Sequence, residues 1–114
     1  MQGTERRHGT VTIVDVVGRL RVEDGADDFR ALITRLVAEG QRYVVLNLTS
    51  CAYVDSAGLG ELATALVKVR KAGGQLVLLN PTPRVLELLR ITRFVDVFTI
   101  YRDEREAIEA VQPS

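Results

Sequence analysis

The chain has 114 residues, of which 46% are hydrophobic and 26% charged, a composition typical of one small globular domain. Its 15 Lys and Arg balance 15 Asp and Glu, so it lacks the excess positive charge expected of a nucleic-acid-binding or membrane-surface protein. A lone cysteine, Cys51, excludes an internal disulfide. No segment approaches the roughly 20 apolar residues of a membrane span, and the amino-terminal residues lack a secretory signal's apolar core. We therefore expect a cytoplasmic protein.

Strands and one helix are predicted in the first half of the chain. The β-branched residues 10–17 end at Gly18 and predict a strand, with residues 4–7 as a weaker hairpin partner. From Gly25 onward, apolar residues recur at three- and four-residue spacing, which predicts a helix. Gly40 lies where the cap of its carboxyl end is expected. The continuous apolar run of residues 42–48 predicts a central strand that is covered on both faces.

The second half repeats this alternation. A helix is predicted from about Ser56 to the glycines at 73 and 74, and residues 75–79 predict another buried strand. Thr82 and Pro83 suit the N-cap and first position of a short helix. Residues 94–101 predict a last strand, and Asp103 opens a capping box that begins a terminal helix, which stops by Pro113.

This order predicts an α/β fold with a mixed, mostly parallel sheet of four to five strands, flanked by about four helices. No repeat, linker or low-complexity segment divides the chain. We therefore expect a single domain over residues 1–114, with its core from about residue 10 to residue 112.

The candidate site is the segment from Cys51 to Gly60, where a buried strand ends and a helix begins with Asp, Ser and two glycines. The simplest interpretation is that Asp55 or Ser56 caps the helix, a role worth about 1 kcal/mol. Glycine in a helix costs about 0.5–1 kcal/mol relative to alanine. Gly58 and Gly60 therefore suggest that another group approaches this backbone closely.

Three kinds of chemistry suit a serine at a helix start. Phosphate binding is poorly supported, because neither glycine-rich phosphate-binding motif is present. A hydrolase nucleophile needs a general base, yet the only histidine is His8, in a polar amino-terminal stretch. Alternatively, Ser56 is itself a substrate for phosphorylation. A phosphate there adds a charge of about −1.5 to −2, which can break a complex without unfolding the domain.

No enzymatic activity, cofactor or metal site is expected from these residues. Ligands for a metal are lacking in the sequence, and Cys51 has no partner cysteine. A small packing residue explains Cys51 better than a redox or metal role. The arginines are spread along separate elements, which does not indicate a nucleic-acid-binding track.

The motif Asp-Ser-Ala-Gly-Leu-Gly at residues 55–60, with the runs at residues 44–48 and 73–84, resembles the STAS domain of bacterial anti-sigma factor antagonists. In that family the serine after the aspartate is phosphorylated by an anti-sigma factor that is itself a serine kinase with a histidine-kinase-like ATPase fold. The resemblance implies that Ser56 is the phosphoacceptor. It also implies a partner-binding surface formed by Asp55, Ser56, Ala57, Gly58, Leu59 and Gly60.

One loop departs from the family pattern. Many members read Gly-Glu-Leu-Asp after the first long strand, whereas this chain has Gly-Arg-Leu-Arg at residues 18–21. Arg19 and Arg21 thus replace an acidic pair by a basic pair in a loop that commonly contacts the kinase, and we include both in the predicted partner-binding surface. Two reversed charges at a rim can redirect partner choice through like-charge repulsion.

The resemblance implies an anti-sigma factor antagonist without catalysis of its own. Its unphosphorylated form binds the kinase and releases a sigma factor, and phosphorylation of Ser56 ends that binding. A phosphatase or other STAS proteins are further candidate partners, whereas nucleic acid and membrane are not. Two alternatives stay open: a STAS scaffold or sensor module of a multi-protein signalling complex, and a STAS domain that binds a small ligand or nucleotide.

Overall fold

Six strands form one mixed sheet in the computed structural model, which describes residues 1–113. The strands are β1 (Gln2–His8), β2 (Val11–Leu20), β3 (Tyr43–Asn47), β4 (Cys51–Val54), β5 (Gln75–Leu79) and β6 (Ile100–Tyr101). Their order is β1-β2-β3-β5-β6, and β4 pairs with the distal part of β2. β1 runs antiparallel to β2, and the other pairs are parallel. The mostly parallel α/β sheet is confirmed, with six strands instead of four to five.

Four helices flank the sheet, namely α1 (Ala26–Ala38), α2 (Ser56–Lys71), α3 (Pro83–Ile91) and α4 (Glu104–Val111). The predicted N-cap residues of the last two are confirmed, but the Asp103 bond goes to the second helical residue and not to the third, as a capping box requires. Thr82 Oγ1 accepts the Val85 N–H at 3.3 Å, with Pro83 at the first helical position. Asp103 Oδ1 accepts the Arg105 N–H at 3.2 Å.

The sheet separates two apolar clusters, because successive side chains of a strand point to opposite faces. The larger cluster lies beneath α1, α2 and α3 and takes Val44 and Leu46 from β3. The smaller lies beneath α4 and takes Val45 from the same strand. The prediction that this central strand is covered on both faces is therefore confirmed.

The predicted strand over residues 94–101 is wrong for most of its length. Phe94–Asp96 form a 3-10 turn that follows Arg93 in the left-handed region (φ 66°), and only Ile100–Tyr101 pair with β5. Phe94 packs against Phe98, with ring centroids 6.2 Å apart. Phe98 is buried in the larger cluster and Phe94 and Val95 pack against it, whereas Val97 is exposed.

The strands at the amino-terminal end are longer than predicted. β1 covers Gln2–His8 where only residues 4–7 were expected, and β2 continues past Gly18 to Leu20. Gly18 has a φ of 107°, and the register between β2 and β4 shifts between Gly18 and Arg19. This irregularity carries β2 toward the candidate site.

Candidate functional site

One carboxylate holds the turn between β4 and α2. Asp55 is the N-cap of α2, and its Oδ1 accepts the Gly58 N–H at 2.8 Å. Its backbone carbonyl accepts the Leu59 N–H at 2.8 Å. Of the two candidate caps, Asp55 therefore fills the role. Ser56 becomes the first helical residue, and its side chain is exposed.

Asp55 also ties this turn to the loop after β2. Its Oδ2 accepts the Val22 N–H at 2.9 Å, and its own N–H donates to the Leu20 carbonyl at 3.1 Å. The hydrogen bonds from the Gly58 and Val22 N–H groups favour the ionised carboxylate, so they hold the pKa of Asp55 below its usual value. One side chain thus positions both the helix start and the loop after β2.

A glycine is required at position 58 because another part of the backbone lies against it. A Cβ built on Gly58 would lie 2.1 Å from the Leu20 carbonyl oxygen, and Gly58 is buried. Gly60 is exposed, and within residues 1–113 nothing beyond its own stretch of helix lies within 4 Å of its Cβ position. The expected close approach therefore occurs at Gly58, where the neighbour is β2, and not at Gly60.

Ser56 lies at a surface groove between the start of α2 and α3. The groove has a volume of about 570 Å³, and its apolar walls include Tyr53, Leu88 and Ile91. Ile91 is 69% exposed. Apolar groups open to solvent beside polar ones are typical of the patches that proteins use to bind one another. The exposed serine is thus part of a larger surface with both apolar and polar character.

A basic depression adjoins this groove. It is lined by Arg19, Arg21, Ala52, Tyr53 and Arg84, and the last two also line the groove at Ser56. The Arg84 guanidinium carbon lies 4.7 Å from the centroid of the Tyr53 ring, which is a cation–π arrangement. Arg19 and Arg21 at the end of β2 and Arg84 in α3 thus lie around Tyr53 of β4, although the three segments are distant in sequence.

These three arginines differ in how far their charge is neutralised. Arg21 lies 2.7 Å from Asp24 and 3.7 Å from Glu23, and the hydrogen bond to Asp24 raises the pKa of its guanidinium. In the part of the chain that the structure describes, no carboxylate oxygen lies within 4.0 Å of the Arg19 or Arg84 guanidinium nitrogens. Arg19 and Arg84 therefore supply most of the uncompensated positive charge beside Ser56.

The predicted site residues fall into two groups. Asp55 and Ser56 line the groove, and the predicted Arg19 and Arg21 line the depression beside it. Ala57 is half-buried and Gly60 is exposed, whereas Gly58 and Leu59 are buried and face the protein interior. The buried pair shapes the turn, and the other six residues are open to solvent at least in part.

Several residues of this surface were missed by the sequence analysis, namely Tyr53, Arg84, Leu88 and Ile91. Ile91 offered a weak signal, since it is a large apolar residue at the end of a short helix, outside that helix's buried face of Val85 and Leu89. The contact between Arg84 and Tyr53 had no sequence signal, because 31 positions separate the two.

Cys51 is fully buried in the larger apolar cluster, as its interpretation as a packing residue predicted. Burial raises the pKa of its thiol. Across residues 1–113, the structure has no group of three or more His, Cys, Asp or Glu side chains arranged for a metal ion. None of the helices described combines the length and the apolar character that crossing a membrane requires.

Comparisons with known proteins identify a family and a shared fold. The STAS domain family profile matches residues 4–107. BtrV from Bordetella bronchiseptica, a candidate anti-sigma factor antagonist, is 34% identical over 85 residues, which cover 75% of this chain and 72% of BtrV. A solved anti-sigma factor antagonist from Mycobacterium paratuberculosis has a TM-score of 0.87 at 22% identity, and covers 98% of this chain and 94% of its own. The phosphorylated form of the Bacillus cell fate determinant SpoIIAA has a TM-score of 0.74 at 19% identity, with 97% and 100% covered.

The chain belongs to the STAS domain family, because the family profile covers most of its length and the Bordetella relative shares a third of the aligned residues. The Bordetella relative is named as a candidate anti-sigma factor antagonist, so the resemblance drawn from the sequence is confirmed at the level of the family. The two solved structures show that it shares their fold.

Proposed function

We propose that this protein is an anti-sigma factor antagonist whose binding is switched off by phosphorylation of Ser56. In this proposal residues 1–114 act as one STAS domain with no catalysis of its own. The observation that carries the proposal is that two neighbouring residues have different roles at the helix start. Asp55 makes the cap and holds the loop, while the neighbouring Ser56 is exposed at the groove.

The partner we propose is an anti-sigma factor serine kinase with a histidine-kinase-like ATPase fold. The groove walls Leu88 and Ile91 offer an apolar contact, and the charges of Arg19 and Arg84, unneutralised within residues 1–113, offer a basic rim. A basic rim favours a partner with acidic groups at the facing positions and disfavours one with basic groups. The name of the Bordetella relative supports an anti-sigma factor as the class of partner.

The phosphorylation step uses ATP and the kinase's own catalytic groups. Ser56 Oγ attacks the γ-phosphorus of ATP, and the new Oγ–P bond forms as the bond to the β-phosphate oxygen breaks. ADP leaves, and a base on the kinase takes the hydroxyl proton. Only the exposed Oγ has to reach the kinase, and the cap at Asp55 is undisturbed by the change.

Phosphate at Ser56 is compatible with the folded domain and incompatible with the proposed complex. It lies at the amino-terminal end of α2, where the helix dipole stabilises an anion. A partner that presents acidic groups to the groove is then repelled. One that presents apolar groups would have to bury the charged phosphate against them. The switch therefore acts on the interface and leaves the fold intact. Removal of the phosphate by a phosphatase would restore binding.

The experiment uses three full-length baits in lysate of the source cell, with added nucleotide: wild type, Ser56→Asp and Thr10→Asp. Thr10 is exposed at the amino-terminal end of β2, the opposite end of the parallel sheet from Ser56. The control variant thus adds the same charge far from the groove. We expect wild type and Thr10→Asp to retain a serine kinase that Ser56→Asp does not retain.

The retained kinase is then purified and titrated against the same variants. We expect Ser56→Asp to weaken binding by about 2 kcal/mol or more, which is roughly thirtyfold, with an unchanged circular dichroism spectrum. ATP should place phosphate on Ser56 of the wild type. Equal kinase binding by wild type and Ser56→Asp contradicts the proposal. Recovery of other STAS proteins by all three baits favours the scaffold alternative.

A further inference from the structure

An arginine that forms no ion pair within residues 1–113 shares the groove with the proposed phosphoacceptor. Arg84 lies in the first turn of α3, and its side chain lines the same groove as Ser56. A cation is disfavoured at the amino-terminal end of a helix, because the helix dipole is positive there. Helix stability therefore does not explain an arginine at this position.

The guanidinium of Arg84 is held by an aromatic ring and by no described acid. It lies 4.7 Å from the centroid of Tyr53, and within residues 1–113 no carboxylate oxygen comes within 4.0 Å of its nitrogens. The nearest acid of its own helix to line the groove is Glu87, which lies 3.9 Å from Arg90. Among the described residues Arg84 thus has no counter-ion, and its contact with the Tyr53 ring can be exchanged for another.

Of the charged residues around the groove, Arg84 is the one that is placed to pair with an anion. Asp55 lines the groove, but both of its carboxylate oxygens already accept backbone N–H groups. Arg21 is committed to Asp24 at 2.7 Å, and Arg19 lines only the adjoining depression. Arg84 is the arginine that lines both cavities, so it is placed to meet an anion at Ser56.

We propose that Arg84 is a built-in ligand for phosphorylated Ser56. The guanidinium leaves the Tyr53 ring and donates two hydrogen bonds to phosphate oxygens, a planar and charge-assisted pairing that suits arginine. The positive end of the α2 dipole favours the same anion. This inference rests on the proposed phosphorylation of Ser56 and adds its consequence within the domain.

This pairing changes the surface that a partner meets. In the unmodified protein the groove offers a free guanidinium stacked on Tyr53, whereas in the phosphorylated protein the guanidinium is neutralised and the ring is uncovered. Phosphorylation would then remove a positive charge from the docking surface in addition to placing a negative charge there. It would also shield the phosphate from a phosphatase, because arginine occupies two of its oxygens.

The test uses the full chain with phosphoserine incorporated chemically at position 56, so that it needs no kinase. The second pKa of a phosphoserine is ordinarily about 6, and ³¹P NMR follows it directly. We expect pairing with Arg84 to shift this protonation equilibrium about tenfold toward the dianion. Arg84→Ala should remove that shift, and Arg84→Lys should restore part of it.

Arg70→Ala is the matched control, since Arg70 is exposed in the last turn of α2, at the other end of the helix that begins at Ser56. It should leave the phosphate pKa unchanged. In a second readout, the ring protons of Tyr53 should shift on phosphorylation of wild type and not of Arg84→Ala. The same phosphate pKa in wild type and in a folded Arg84→Ala variant overturns the inference.

The two proposals fail separately. If phosphate pairs with Arg84 and the phosphorylated protein still binds the kinase fully, the switch is wrong and the pairing stands. If phosphorylation releases the kinase while Arg84→Ala has no effect on the phosphate pKa, the switch stands and the pairing is wrong.

Discussion

Replacing Gly58 with alanine tests how α2 is seated on β2. At an open helical position, glycine to alanine stabilises a helix by about 0.5–1 kcal/mol. At Gly58 the added Cβ would lie 2.1 Å from the Leu20 carbonyl oxygen, where an ordinary contact is at least 3.4 Å. Relief requires a displacement of about 1 Å between two backbones, because neither atom belongs to a flexible side chain.

The expected result is a net loss of stability. Overpacking a well-packed site costs about 1–3 kcal/mol, which exceeds the gain in helix propensity. We expect Gly58→Ala to lower the free energy of unfolding by about 1–2 kcal/mol. Gly60→Ala is the matched control two residues away, and it should raise the free energy by about 0.5–1 kcal/mol because the position is open.

Urea unfolding followed by circular dichroism measures both variants, with the free energy taken by linear extrapolation. The two identical substitutions should move the midpoint in opposite directions. If both raise the urea midpoint by similar amounts, the Leu20 carbonyl does not restrict this position and our explanation of Gly58 is refuted.

Further predictions concern Asp55 and Cys51. Since the folded pKa of Asp55 is lowered, its stabilising effect is full above the unfolded value of about 3.9 and is lost as the pH falls through the lower folded value. Asp55→Asn should therefore make the fall in urea midpoint on acidification shallower, and an unchanged pH dependence would contradict the hydrogen bonds to its carboxylate. Cys51 is fully buried, so iodoacetamide should label it only after opening, at a rate that rises with urea; rapid labelling of the native protein would count against that burial.

The sequence predicts most of the fold because the main elements bury a regular face. α1 and α2 show the helical period, and β3 and β5 are continuous apolar runs, so each is recognisable without its neighbours. The sequence did not distinguish β4 from the apolar run of residues 42–48, since β4 has four residues and pairs only with the end of β2. Phe94 and Phe98 suggested a strand, but their packing against each other decides the local conformation.

The candidate site was predictable where its signal is local. Residue types at a strand-to-helix junction predicted that Asp55 or Ser56 caps α2, and the structure assigns the cap to Asp55. The reason for Gly58 lies in the Leu20 carbonyl, 38 positions away. The contact between Arg84 and Tyr53 likewise depends on how α3 packs beside β4. Spatial neighbours of this kind leave no periodic pattern in a single sequence.

The smaller apolar cluster has consequences for local opening, because α4 is the helix that covers it. α4 has eight residues and contributes Ala107, Ile108 and Val111 to that cluster. A helix of about two turns that packs on the sheet through one face can detach at a lower free energy than global unfolding. Its detachment would uncover sheet residues of β2, β3 and β5 while the larger cluster stays closed. Amide hydrogen exchange is then faster in α4 than in β3, and the uncovered face of the sheet is the surface by which a partly opened molecule would aggregate.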